Sequence, residues 1–262
     1  MSLHENKWGL ESPNFKRRIN ELSAGSDLVW FTALGIGLGF TLIAAYLFTF
    51  SPTGKFWAYA GLFIRAGLYL WSGEVLKGRG GDTLSDLFKL GIVAGIFELL
   101  ADWGLIHWIS NGRLVYLSGN DVILLGSPVW MPLAWACVIV ELGYPAMRLF
   151  RRLRASMTTN TATLVTSIII GLAASVTVGF YEYFAYRANL WKYEKAHAML
   201  GDFCALYIPV GEFLMFLAVL PIGAKLLSKD RPGTSTYIEG GAAFALAIAL
   251  GYTLAYLLLE AL

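Results

Sequence analysis

Four carboxylates and one guanidinium stand where this chain has least room for charge. The 262 residues are 57% hydrophobic and only 15% charged, with a mean hydropathy of +0.60. Glu98, Asp102, Glu182, Glu212 and Arg65 nevertheless fall inside apolar runs. A charge near the centre of a bilayer costs at least about 2.5–3.5 kcal/mol, so each needs a reason. Glu98 and Asp102 are spaced i, i+4 and share one helix face, and Glu182 and Tyr186 repeat that spacing. The chemistry open to such groups is proton transfer: a carboxyl kept neutral by apolar surroundings can act as a general acid. The structural alternative is that Arg65 neutralises one glutamate while the others hydrogen-bond across helices. Glu98 and Glu212 lie nearest mid-span and carry the catalytic reading, whereas Asp102 and Glu182 fit either. Glu141 and Glu74 fit interfacial positions, and Arg65 fits a counter-ion to Glu98 or Glu212.

Aromatic residues crowd the outer ends of the same runs: Trp103, Trp108, Tyr116, Trp130, Trp135, Tyr181, Tyr183, Tyr186, Trp191, Tyr193 and Tyr207. An interfacial aromatic belt accounts for such a distribution. A second account is that π faces line a substrate cavity and stabilise a carbocation. Trp103, Trp135, Tyr183 and Phe216 lie deep enough for that, with Tyr186 and Arg65 as further substrate contacts. Other motifs are weaker. Gly35-Ile36-Gly37-Leu38-Gly39 lacks the strand and the acidic follower of a dinucleotide site and suits small-residue helix packing. Asp82 and Asp86 have no second Asp-rich loop to complete a diphosphate site. His4, His107 and His197 have no metal-ligand spacing, and the last apolar run holds no lysine for a retinal Schiff base. Cys137 and Cys204 read as buried thiols. No cofactor and no metal are expected.

These residues must be positioned by membrane-spanning helices. Apolar blocks cover about 28–50, 56–72, 88–109, 122–147, 162–187, 203–224 and 238–260, each near the roughly 20 residues that cross a bilayer. The expected fold is therefore all-α, a polytopic transmembrane bundle of about seven helices. A polar segment at 1–27, without a cleavage-type pattern, precedes a single transmembrane domain at 28–262. Counting Lys89 and Arg187 at block ends, fourteen Lys and Arg residues fall in or beside the N-terminal segment and the loops after spans two, four and six, against five in or beside the other loops. That asymmetry predicts a cytoplasmic N-terminus, an outside C-terminus and an inner-membrane location. A net charge of +2 gives no reason to expect nucleic acid. The expected partner is a membrane lipid or isoprenoid, and a homo-oligomer is compatible with the sequence.

An internal repeat is also legible. Phe97-Glu98, Asp102, Trp108, Pro128-Val129, Leu133 and Trp135 are followed by Tyr181-Glu182, Tyr186, Trp191, Pro209-Val210, Leu214 and Phe216 in the same order. The spacing predicts two helix hairpins, at about 88–150 and 162–227, with Glu98 matching Glu182 and Pro128 matching Pro209. Both would run outward and return, unlike the inverted repeats of many transporters.

Two of these stretches resemble known families. Gly112-Arg113, Tyr116, Leu125-Gly126-Ser127-Pro128 and Met131-Pro132-Leu133-Ala134-Trp135 resemble the signature of the membrane carotenoid hydratases. Trp191-x-Tyr193, Leu200-Gly201 and Pro209-Val210-Gly211-Glu212-Phe213-Leu214-Met215-Phe216 resemble the heterodimeric-type lycopene cyclases. The similarity covers about half the chain. Gly211 stands where the cyclase pattern has its first glutamate, so only Glu212 carries over; Glu182 stands where cyclases often have aspartate, and Glu98 matches an acid ahead of the hydratase loop. The resemblance implies acid-initiated cyclisation or hydration of an isoprenoid C=C without a redox cofactor. Glu212 or Glu98 would donate the proton, and Asp102 or Glu182 would accept one or orient water. A membrane lipid hydrolase and a non-catalytic lipid-binding or transport protein remain the alternatives.

Overall fold

The computed structural model describes residues 8–117 and 121–261. Helix α1 (Pro13–Asn20) is followed by α2 (Ala24–Leu42), which runs on through a π-helical turn at Ile43–Leu47. Helices α3 (Pro52–Val75) and α4 (Gly81–His107) come next, then an excursion of three short strands, β1 (Arg113–Tyr116), β2 (Ile123–Leu124) and β3 (Ser127–Pro128). Helices α5 (Met131–Leu153) and α6 (Thr159–Arg187) lead into a second excursion, β4 (Trp191–Glu194), β5 (Met199–Leu200) and β6 (Cys204–Ala205). The chain closes with α7 (Tyr207–Phe216), α8 (Val219–Leu227) and α9 (Thr234–Leu259).

Local chemistry sets these boundaries. Ser23 and Ser26 form a reciprocal capping box at the start of α2. Ser51 and Thr158 cap α3 and α6, with Pro52 in the first turn of α3 where its missing N–H costs nothing. Pro132 does the same for α5. Gly80 turns α3 into α4 at φ +89°, and a side chain there would press on Ser26.

Five stretches are long and apolar enough to cross a membrane: Ala24–Leu47, Met131–Leu153, Thr159–Arg187, Tyr207–Leu227 and Thr234–Leu259. Helices α3 and α4 match them in length, at 24 and 27 residues, and carry Arg65, Glu98 and Asp102. Far more of α5 and of α7–α8 is buried than of α2, α6 and α9. The outer three instead expose apolar rows spaced four apart, including Leu164, Ile168, Leu172, Val176 and Phe180 on α6 and Leu246, Leu250 and Leu254 on α9. Apolar stripes of that extent are what lipid, not water, would cover. The architecture is consistent with a polytopic membrane protein.

Three blocks differ from their sequence outlines. The block expected at 122–147 is split: residues 122–130 form the β2–β3 hairpin, turned by Leu125 and Gly126 at φ +53° and +89°, and α5 starts only at Met131. The block at 203–224 is two helices, interrupted at residues 217–218. The N-terminal polar segment contributes α1, whose fully buried Phe15 packs on Phe150 of α5. At this end, Arg148 and Tyr144 both bond Asp27, and Arg151 bonds the carbonyl of Ile19. At the other end the two excursions pair antiparallel, β1 with β4, with Leu114 opposite Tyr193 and Tyr116 opposite Trp191.

Candidate functional site

The site starts from the two acidic helices. Asp102 and Glu182 each lie five residues before the end of their helix, α4 and α6, and both are buried. The paired β-ribbon folds back over them. Tyr116 from β1 donates its hydroxyl to Asp102 Oδ2 at 2.5 Å, and Ser127 from β3 donates to the same oxygen at 2.8 Å. Trp191 from β4 donates its indole N–H to Glu182 Oε2 at 2.6 Å. The aromatic pair that faces across the ribbon therefore holds both carboxyl groups in place.

Glu98 sits one turn further into α4, and Glu212 projects from the middle of α7. Both are 1% exposed. Tyr252 of α9 donates to Glu212 Oε1 at 2.6 Å, while Glu212 Oε2 and Glu98 Oε2 have no hydrogen-bond partner among the described residues. Buried polar atoms are nearly always satisfied, so two unsatisfied carboxyl oxygens in one place call for an explanation.

That place is a cavity of about 150 Å³ between α3, α4, α5, α6 and α7, roofed by the β1–β4 ribbon. Glu98, Asp102, Glu182 and Glu212 all line it, as does Arg65. Its walls are otherwise apolar and aromatic, with Trp130, Trp135, Tyr181, Trp191, Tyr193 and Tyr252 as the large rings. An apolar space of this volume takes about one benzene-sized ring. The arrangement can hydrogen-bond, or exchange a proton with, the end group of an otherwise apolar molecule.

Arg65 is placed differently from its expectation as counter-ion to Glu98 or Glu212. Its guanidinium forms an ion pair with Glu141 of α5, which also accepts from Tyr181 at 2.5 Å. Glu141 is correspondingly not interfacial but 3% exposed, near the middle of a helix that begins nine residues later than the apolar block suggested. Arg65 lines the cavity, and its pairing with Glu141 leaves Glu98 and Glu212 without a counter-charge from it.

Of the aromatic residues expected to contact substrate, Trp135 lines the cavity, and four do not. Trp103 packs outside with His107 and Trp108. Tyr183 packs on Phe203, Tyr186 on Phe50, and Phe216 is fully buried against Phe244. Tyr252 and Ser127 are the contributors that sequence reasoning did not single out. The available signal for the first is a pair of tyrosines, Tyr252 and Tyr256, spaced i, i+4 in an apolar run. Among the described residues no three His, Cys, Asp or Glu side chains come together to hold a metal ion. His107 bonds the carbonyl of Trp103, and His197 lies 3.9 Å from Glu260; His4 lies outside the described residues.

No curated protein and no solved structure matches the chain. The family described as a domain of unknown function, DUF6989, matches residues 99–259, from just past Glu98 to the end of α9. That span is more than half of the chain and contains Asp102, Glu182, Glu212 and the whole β-ribbon, and the chain belongs to the DUF6989 family.

Proposed function

We propose that the protein is an integral membrane enzyme that adds a proton to a C=C bond of a lipid-soluble isoprenoid, leading to cyclisation or hydration. The observation that carries this reading is the pair of unpartnered carboxyl oxygens, on Glu98 and Glu212, in one aromatic-lined cavity. In the step proposed, Glu212 transfers its proton to one alkene carbon and leaves a carbocation on the other. The faces of Trp135, Trp191 and Tyr193 stabilise that cation. Cyclisation follows if a second C=C attacks and a neighbouring carbon then loses a proton to Glu98 or back to Glu212. Hydration follows if water adds and releases its proton to the same carboxylates. Asp102 and Glu182, fixed by Tyr116, Ser127 and Trp191, orient water or set the local charge. The cavity's volume and apolar, aromatic walls suit the end of an isoprenoid chain.

The resemblance to carotenoid hydratases and lycopene cyclases supports this class of reaction. We infer further that the α4–α5 and α6–α7 hairpins are copies of one unit. Aligned on the ends of α4 and α6 and on strands β3 and β6, Asp102 matches Glu182, Pro132 matches Pro209 and Trp135 matches Glu212, one helical turn away from a Glu98–Glu182 and Pro128–Pro209 register. Gly91 packs on Ala136 as Gly171 packs on Phe213, at equivalent places in the two units.

The experiment is mass spectrometry of lipid extracts from cells expressing the protein, with Glu212→Gln as the control. An isoprenoid changed by zero mass with new retention, or by +18, that disappears in the variant supports the reading. Extracts that are unchanged, from which an intact lipid copurifies with the protein, favour the non-catalytic binding protein instead. The replacement of a motif glutamate by Gly211 is the feature that keeps this second reading in play.

A further inference from the structure

A second cavity, of about 700 Å³, lies at the end of the bundle away from the β-ribbon, where α1, the α3–α4 turn and the α8–α9 turn meet. Five cations line it from three separate stretches of chain: Arg17 and Arg18 on α1, Lys77 in the α3–α4 turn with Lys89 further along α4, and Arg231 after α8. The acids beside them are largely engaged. Asp86 accepts from Arg18 Nη2 at 3.0 Å and from the Tyr237 hydroxyl at 2.7 Å, with Lys89 at 3.8 Å. Asp230 pairs with Arg17 at 2.6 Å, and Glu21 lies 3.5 Å from the same guanidinium. Asp82 accepts the Gly78 backbone N–H at 3.0 Å and lies 4.0 Å from Arg18 Nη1.

What remains is cationic. Lys77 and Arg231 make no hydrogen bond or ion pair among the described residues, and both are exposed on the cavity rim. Arg18 is the more telling residue. It is 6% exposed, yet its Nε and Nη1 have no hydrogen-bond acceptor. A guanidinium presents five donors in a fixed fork, and leaving buried donors unused is costly. Phosphate oxygens match that fork.

We propose that this cavity binds a phosphate group, carried by a lipid headgroup or by a free phosphate or diphosphate. Arg18 is its anchor, and Lys77 and Arg231 are the charges that close over it. Four acids line the same space, so five cations leave one net positive charge. That balance suits a group of one or two negative charges better than a triphosphate. The site is separate from the aromatic cavity and does not depend on the reaction proposed there.

The test uses the full chain in phosphatidylcholine nanodiscs. One arm titrates inorganic phosphate and pyrophosphate and follows binding by calorimetry. The other exchanges phosphatidic acid into the discs and counts retained lipid by native mass spectrometry against phosphatidylcholine. Phosphate binding alone identifies a soluble anion, and selective retention of phosphatidic acid, at least about tenfold over phosphatidylcholine, identifies a headgroup. In whichever arm responds, Lys77→Gln with Arg231→Gln should weaken binding at least about tenfold while the unfolding midpoint without ligand stays put. Arg18→Lys, which keeps charge but loses the fork, should weaken it as well. No response in either arm, or binding equal in wild type and the Lys77/Arg231 double variant, overturns the proposal.

Discussion

The α4–α5 and α6–α7 hairpins bring the same order of elements to the cavity and furnish it differently. In the first, Asp102 is saturated at one oxygen by two hydroxyls, and the return helix is continuous for 23 residues. The interior acid of that return helix, Glu141, is locked to Arg65 and Tyr181. In the second, Glu182 takes an indole N–H and the return helix breaks after ten residues. Its interior acid, Glu212, has only a tyrosine hydroxyl from α9 and one oxygen to spare. The lesson is about where charge is neutralised. An ion pair neutralises the acid of the first return helix, whereas the second keeps a carboxyl whose hydrogen-bonding capacity is left for something else. A buried, paired acid is architecture; a buried acid with an unsatisfied oxygen is a candidate for function.

The largest expected effect breaks the first side of this contrast. Arg65→Met leaves Glu141 buried without its counter-charge and should cost roughly 3–5 kcal/mol, read as a lower unfolding midpoint in detergent or failure to accumulate. Arg65→Met with Glu141→Leu should recover most of that loss. If the double variant is no better than the single one, the pair is not what holds α3 against α5.

Next comes the second side. Glu212→Gln keeps the bond to Tyr252 and removes the transferable proton. Activity on the identified isoprenoid should fall by at least about 10²-fold with the unfolding midpoint little changed. Poor folding of this variant would mean that Glu212 belongs with Glu141 as a structural acid, and full activity would remove it from the chemistry.

The equivalence of the hairpins can be sharpened with two glycines. A Cβ at Gly91 would stand 2.5 Å from the Cα of Ala136, and one at Gly171 would stand 2.8 Å from the Phe213 carbonyl oxygen. Each Gly→Ala change should cost about 1–3 kcal/mol by overpacking. A thermal midpoint unaffected by one and lowered by the other would show that the two helix contacts are not equivalent.

The smallest effect lies outside the membrane helices and serves as a baseline for pH work on both hairpins. Burial pushes the Glu11 carboxyl up, but the Lys16, Thr159 and Arg154 bonds outweigh it and hold it at about 2, below the ordinary 4.5. Because the folded value is the lower one, this cluster contributes stability that is complete above about 4.5 and fades as pH falls towards 2. Glu11→Gln should flatten the acid limb of a stability–pH curve slightly; an unchanged curve would show that the cluster contributes nothing.

Much of this was legible from residue types. The apolar blocks located most of the long helices, and the four acids stood out as candidates because charge in an apolar run has few structural uses. Two things were not legible. Residues 122–125 are as apolar as any helix, and only the positive φ of Leu125 and Gly126, invisible in composition, makes them a hairpin. That misplaced the start of α5, moved Glu141 towards the interface on paper and left Arg65 to be assigned a different partner. The aromatic residues failed for another reason: Trp103, Tyr183 and Tyr186 have the right depth, but depth does not fix which way a helix face points. Tyr116 and Trp191 reach the acids because a ribbon between two distant loops carries them there, a pairing that no local pattern announces.

That ribbon has a consequence for how the chain must be made. Strand β1 ends at Tyr116, and its partner begins only at Trp191, after α5 and α6 have been synthesised. At about 5–20 residues per second, the 78 residues from Arg113 to Trp191 take about 4–16 s to appear. Throughout that interval the first strand is an open edge and Asp102 waits beneath an unfinished roof. Four residues is short enough for such an edge to be tolerated. The cavity is thus a late product of biosynthesis, assembled when the second hairpin arrives, and a ribosome stalled before Trp191 would hold a chain with helices but no site.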